Sequence, residues 1–415
     1  MQHIQYHDNA LMIEQTKLSD VANQFGTPCY VYSRATIEEN WRAFDDALTD
    51  IPHRICYAVK ANSNIGILNL LARLQSGFDI VSLGEMERVL AAGGDPKKIV
   101  FSGVGKKEIE IARALDVGIH CFNVESADEI QRIHTIAKQA NKIAAITLRI
   151  NPNIDAKTHP YIATGLKENK FGIDIDNISA VCASVKTLSH LKLIGIACHI
   201  GSQLTTIEPF IEATDRLLEL AERMMNDGFA LEHINIGGGL GVRYQDEEPP
   251  SINLYIQKIR ERLKKNALEI IIEPGRSIIA NAGVLLTRIE YLKPTAHKNF
   301  AIVDAAMNDL IRPALYNAWQ EIKPVNFNLH LREETYDIVG PVCESADFLG
   351  KDRLLRLQAG DLLAIVSAGA YGFSMSSNYN SRPRVAEIMI DKDKMFLIRR
   401  RETIEELFAG ESIIS

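Results

Sequence analysis

No apolar run in the 415-residue chain approaches the roughly 18 residues of a membrane span, so no transmembrane helix is expected. The N-terminus, MQHIQYHDNALMIEQ, lacks the basic-then-apolar pattern of a secretory signal, and the expected location is the cytoplasm. Neither sign of charge dominates: 46 Lys and Arg stand against 53 Asp and Glu, a net charge of −7, which argues against nucleic acid or an anionic membrane as partner. Cysteine is sparse, at six residues, and none has CxxC spacing, so no metal site is expected. Cys29, Cys56, Cys121, Cys182 and Cys198 read as small core residues, whereas Cys343 in GPVCES stands beside a turn and before an acidic residue. Internal repeats and low-complexity linkers are also missing. What remains is ordinary globular composition, 46% hydrophobic and 24% charged, in a chain long enough for one large domain and a smaller one.

From the amphipathic stretch Ser33 to Leu48 onward, short β-type runs alternate with helix-period segments. The runs are RICYAVK (54–60), GFDIVS (77–82), KIVFSG (98–103), IHCFNV (119–124), AAITLRIN (144–151), LIGIACHIG (193–201), HINIGGG (233–239) and EIIIEPG (269–275). Between them lie segments such as IGILNLLARLQ, SADEIQRIHTIAKQA and LYIQKIRERLKK. Alternation of this kind means parallel strands, and eight units fit a closed (β/α)8 TIM-type barrel; a doubly wound open sheet is the rival. From about residue 281 the texture changes to strands with few helices between them, including VLLTRIEYLK, ETYDIVG and DLLAIVSAGAY. The expected organisation is therefore α/β: a barrel over 33–280 and a mainly antiparallel β-rich domain over 281–415, joined by the strand-like segment 1–32.

Active sites of such barrels lie at the C-terminal strand ends. Strand 1 ends in Lys60, strand 6 in His199, strand 7 in Gly237, Gly238 and Gly239, and strand 8 in Glu273, followed by Gly275 and Arg276. A lysine ending an apolar strand suits a Schiff base, although it also suits a side chain snorkelling to the rim. The glycine run is placed where barrels often bind phosphate, and the alternative is a plain tight turn. Glu273 ends the apolar run EIIIEPG and needs a cation, which is either Lys60 or Arg276 in a structural pair, or the nitrogen of a pyridinium ring. His199 is a general acid, a flat face for a ring, or a satisfied core histidine.

These residues, with YAVKAN, the run NPNIDAKTHPYIATGLKENKFGI, CHIGSQ, GGGLG, EPGR, VDAAMNDLIRPALY, GPVCESADFLG and SAGAYGFSMSSNYNSRPR, carry a resemblance to the fold-type III pyridoxal-phosphate decarboxylases that covers nearly the whole chain. The resemblance implies pyridoxal 5'-phosphate as cofactor, with Lys60 as its Schiff-base lysine and His199 stacked on its ring. It implies that Ser202, Gly237, Gly238, Gly239, Gly275, Arg276 and Tyr371 bind the phosphate and that Glu273 meets the ring nitrogen. It further implies that Arg276, Arg312, Tyr316 and Tyr371 hold the distal carboxylate of a diamino diacid, that Glu344 holds its distal ammonium, and that Cys343 is the proton donor. The implied reaction takes meso-2,6-diaminopimelate to L-lysine and carbon dioxide, in a homodimer whose active sites are shared between subunits.

Discriminating a diamino diacid from a diamine needs partners of both signs for its distal groups, and Arg312 and Glu344 supply them. Rival readings are a decarboxylase of the same fold acting on ornithine, arginine or carboxynorspermidine, a racemase, and a cofactor-binding regulatory protein without turnover. Two positions depart from the family pattern: Leu83 in VSLGE and Ala306 in VDAAMND stand where glycine is common.

Overall fold

The computed structural model describes residues 3–154, 170–263 and 268–414. Most of the run from 151 to 173, and Lys264 and Lys265 of the LYIQKIRERLKK segment, lie outside the described residues. Two compact units are present: Trp41–Val242 with Glu248–Ser277, and Met1–Asn40 with Arg243–Glu247 and Ile278–Ser415.

All eight β-type runs of the first unit form strands, and all pair in parallel. In chain order these are strand 1 (His53–Ala58), strand 2 (Gly77–Ile80), strand 3 (Ile99–Phe101), strand 4 (Cys121–Val124), strand 5 (Ala144–Asn151), strand 6 (Leu191–Ala197), strand 7 (His233–Asn235) and strand 8 (Glu269–Ile272). Strand 8 pairs with strand 1 and strand 4 with strand 5, so the sheet closes on itself and the open-sheet alternative is excluded. Closure leaves the strands without free edges and buries their inner side chains; Cys56, Val100, Cys121, Ile194 and Ile271, from five strands, pack as one buried cluster. The intervening helices begin where their sequences supply caps. Asn64, Ser82 and Ser126 accept backbone hydrogen bonds at the starts of Ile65–Arg73, Leu83–Ala91 and Ala127–Gln139.

The strands stop short of the chemically distinctive residues. Strand 1 gives way to a 3-10 turn, Val59–Ala61, that holds Lys60. Strand 7 ends at Asn235, ahead of the glycines, and strand 8 at Ile272, one residue before Glu273. Gly238 is obligatory there, because a Cβ would fall 2.1 Å from the carbonyl oxygen of Glu273. Strands 7 and 8 thus bring their C-terminal continuations into backbone contact.

The second unit is built on a mixed, mainly antiparallel sheet. Its central strand, Gly283–Pro294, pairs antiparallel with Asn299–Val303, Leu362–Ile365 and the N-terminal strand Cys29–Ser33. Cys29–Ser33 also pairs in parallel with Ala386–Asp391, so the N-terminal segment is an internal strand of this sheet. One core includes Leu11, Val31, Leu286 and Ile388, all fully buried. Neither Leu83 nor Ala306 has a positive φ, so the side chains that stand in place of glycine cost no backbone strain.

Candidate active site

At the C-terminal ends of the barrel strands a cavity of about 170 Å³ is lined by Lys60, Asp79, Asn123, Arg149, His199 and Glu273, among others. The Lys60 ammonium is paired with Asp79, a strand 2 residue only 1% exposed. The second carboxylate oxygen of Asp79, Oδ1, is buried with no hydrogen-bond partner among the described residues. Glu273 is also buried; its Oε1 accepts from Nδ2 of Asn235 at 2.6 Å and from Nδ2 of Asn123 at 3.3 Å. Burial pushes the Glu273 carboxyl up to about 7, the negative charge of Asp79 adds to the effect, and Lys60 opposes it.

His199 is held neutral. Burial, reinforced by the positive charges of Arg149 and Lys60, lowers its pKa well below the ordinary imidazole value. Its Nδ1 accepts the N–H of Gly238 at 3.2 Å, which leaves the ring proton on Nε2. The glycine run is not a row of bare N–H groups: the Gly237 amide donates to Asn235 Oδ1 at 2.9 Å, and that of Gly238 to His199. The run therefore orients the ring and the asparagine as well as offering backbone near Glu273. Nearby, Arg276 Nη2 donates to Ser202 Oγ at 3.1 Å, and Gly275 lies against Ala58 and Ala61, where a Cβ would come within 3.0 Å of Ala58 Cβ.

These groups fit a pyridoxal cofactor. The donor set contains an amine for its aldehyde, a buried carboxylate for its ring nitrogen, a flat neutral imidazole, and an Arg–Ser pair beside glycine backbone for its phosphate. Two buried carboxylates facing one lysine leave negative charge in the cavity that a ring cation would neutralise.

The β-rich unit holds the other expected residues. Arg312, buried, opens a short helix (Arg312–Tyr316), and its guanidinium lies over the ring of Tyr244 with 4.5 Å to the centroid. Tyr316 ends that helix and is half-buried. Tyr371 adopts a left-handed conformation, φ 56. Cys343 and Glu344 are exposed. The Cys343 amide donates to Asn380 Oδ1 at 2.9 Å, while Glu344 hydrogen-bonds with Tyr379. Buried Asp347 accepts from the Met307 and Val342 amides, each at 2.7 Å, and so ties this exposed turn to the VDAAMND segment.

The family model described as "Pyridoxal-dependent decarboxylase, pyridoxal binding domain" matches residues 34–280. The chain belongs to this family. It is similar to the diaminopimelate decarboxylase of Pseudomonas aeruginosa, with 59% identity over 414 residues and 100% of both chains covered. To the Vibrio cholerae diaminopimelate decarboxylase it is 60% identical, with 98% of each covered. A solved structure of Helicobacter pylori diaminopimelate decarboxylase complexed with L-lysine superimposes with a TM-score of 0.92 at 44% identity, covering 95% of this chain and 99% of that one. The cofactor of this decarboxylase is pyridoxal phosphate, as the expected site chemistry required.

Several residues lining the decarboxylase cavity escaped the reading of strand ends. Asp79 interrupts GFDIVS and Arg149 interrupts AITLRIN, each a charge within an apolar strand, which is the same signal that singled out Glu273. Arg149 Nη1 donates to Glu125 Oε1 at 2.8 Å, and its guanidinium lies 4.9 Å from the centroid of the Phe171 ring. Asn123 and Asn235 carry no charge and gave no comparable signal.

The raised pKa of Glu273 has a measurable consequence. In the folded chain this carboxyl keeps its proton to about pH 7, whereas an exposed one loses it near 4.5. The folded state therefore binds more protons across that window, and stability falls as pH rises through it. Between about pH 5 and about pH 8 the cofactor-free wild type is expected to lose on the order of 3 kcal/mol relative to the Glu273→Gln variant. Denaturant unfolding at the two pH values measures this; parallel pH profiles would contradict it.

Proposed function

We propose that this decarboxylase removes the α-carboxylate of meso-2,6-diaminopimelate through the roles that the barrel mouth and the β-rich unit offer, releasing L-lysine and carbon dioxide. When bound, pyridoxal phosphate supplies the sink for the electron pair of the breaking bond. Lys60 Nζ would hold the cofactor covalently through its aldehyde, the position that the α-amine of the substrate would take over. Glu273 holds the proton of the ring nitrogen, a task suited to a carboxylate that two asparagine amides orient. His199 would offer the ring a flat face; its neutral state and the Gly238 contact to Nδ1 support a stacking role over that of a general acid. Ser202, the Gly237–Gly239 run, Gly275, Arg276 and Tyr371 take the phosphate, with the Gly239 amide the member of the run not engaged by Asn235 or His199.

Substrate choice falls to Arg276, Arg312, Tyr316 and Tyr371 for the distal carboxylate and to Glu344 for the distal ammonium. The burial of Arg312 and its stacking on Tyr244 support this role, because a desolvated, oriented guanidinium favours a bidentate carboxylate over a neutral or cationic group. The observation that carries the reading is that the Lys60 amine and the Glu273 carboxylate line one cavity of a chain similar along its whole length to proteins named for this reaction. Incubation with meso-diaminopimelate and pyridoxal phosphate is expected to yield lysine and carbon dioxide, with no release from ornithine or arginine and no turnover by Lys60→Ala. Comparable release from ornithine would overturn the substrate assignment.

Cys343 delivers a proton to Cα, and it does so, with Glu344, in the site of the neighbouring chain of a homodimer. The exposure of both residues in a single chain supports this reading. Six free thiols fit the reducing environment of the cytoplasm. Mixing inactive Lys60→Ala and Cys343→Ala chains under conditions of subunit exchange is expected to restore about a quarter of wild-type activity, since half the dimers are mixed and each carries one intact site. No recovery after verified exchange would place Cys343 in its own chain's site.

A further inference from the structure

The opposite end of the barrel holds a second cluster of chemically capable side chains. Cys121 and His233 are the first residues of strands 4 and 7, and His120 immediately precedes strand 4, so all three sit at N-terminal strand ends, away from Lys60 and Glu273. Each offers a ligand atom, and these atoms lie within 4.8 Å of one another. His233 and Cys121 are buried, at 0% and 1% exposed. The two imidazole rings are 5.3 Å apart between centroids.

Two further observations mark this as a built site. Nε2 of His120 and Nδ1 of His233 are both buried without a hydrogen-bond partner among the described residues, an arrangement that costs stability unless something binds them. The neighbouring strand is also shaped around the ring: a Cβ on Gly195 of strand 6 would fall 2.3 Å from His233 Nε2. Thr147 of strand 5 links two members, its Oγ1 lying 2.9 Å from His233 Nε2 and 3.4 Å from Cys121 Sγ. Arg54, whose charge reaches both imidazoles, is already paired with Glu269 at 3.1 Å.

We infer that His120, Cys121 and His233 bind one zinc ion at the N-terminal end of the barrel. Two neutral imidazoles and a thiolate are the donors zinc prefers, and three protein ligands leave a fourth position for water beside half-buried His120. Binding forms two metal–nitrogen bonds and one metal–sulfur bond and releases the Cys121 proton to solvent. The Thr147 hydroxyl, which donates to Cys121 Sγ, would then steady the bound sulfur. The ion would fasten strand 4 to strand 7 across the barrel. No sequence spacing announced it, because barrel closure rather than local chain geometry brings residues 120, 121 and 233 together.

The full-length protein is stripped with a chelator and re-equilibrated with zinc, for elemental analysis after gel filtration, or with cobalt(II), which reports a thiolate ligand by a near-ultraviolet charge-transfer band. One retained zinc per chain and a cobalt–thiolate band are expected; both are lost in Cys121→Ser and unchanged in Cys343→Ser. His120→Gln is expected to weaken cobalt binding at least about tenfold, and at its half-buried position it serves where Cys121→Ser does not fold. Absence of retained zinc and of the cobalt band, or a band that survives Cys121→Ser, that vanishes with Cys343→Ser, or that binds as tightly in His120→Gln, would overturn the assignment.

Discussion

One lysine, paired with a buried aspartate and within reach of the charge of a buried glutamate, organises the barrel mouth. Lys60 is paired with Asp79 and senses Glu273, and the three charges do not balance: burial of both acids would leave one negative charge uncompensated in a poorly solvated cavity. A proton on Glu273 relieves the excess in the chain alone, and a protonated ring nitrogen relieves it when the family's cofactor is present. The neutrality of His199 has a different origin, which is burial of the ring first and nearby positive charge second. Lys60 and Arg149 already supply positive charge around it, and a buried imidazolium would add more.

Barrel closure converts this charge pattern into a site. Lys60, Asp79 and Glu273 belong to strands 1, 2 and 8 or to their immediate continuations, and those strands are hydrogen-bonded neighbours. Asn123 and Asn235 reach Glu273 from strands 4 and 7, across the barrel and from the adjoining strand. The tight approach of Gly238 to the Glu273 carbonyl sets the height at which the carboxylate sits. The opposite ends of the strands show the same logic in reverse, where closure brings His233 to His120 and Cys121, which precede it by more than a hundred residues.

The barrel was legible because each strand is a short apolar run bounded by turn chemistry, and because its period repeats without interruption. Six of the eight runs extend two to four residues past the C-terminal end of their strand, while the runs of strands 4 and 5 end where the strands do. RICYAVK and HINIGGG continue the apolar pattern into the 3-10 turn at Lys60 and the glycine run, where backbone geometry changes but hydropathy does not. Lys60 and Glu273 stood out as charges ending apolar strands. Asp79 and Arg149 carry the same mark inside strands, where attention to strand ends passed over them. Glu344, Arg312 and Tyr316 lie in a turn or a short helix, where polar residues are ordinary, so only the motif resemblance singles them out, whereas Cys343 already stands apart from the other cysteines by its place beside a turn and an acidic residue. The amides of Asn123 and Asn235 are invisible to such reasoning, because an uncharged polar residue in a strand costs too little to demand a partner of known kind.

If the charge arrangement around Lys60 is what equips this decarboxylase for its cofactor, the covalent bond must form at that nitrogen and at no other lysine. Borohydride reduction of the pyridoxal phosphate-loaded protein, followed by mass spectrometry of its peptides, locates that bond directly. The expected result is a single reduced adduct on Lys60 in the YAVKAN peptide; an adduct on another lysine, with Lys60 unmodified, would contradict the account.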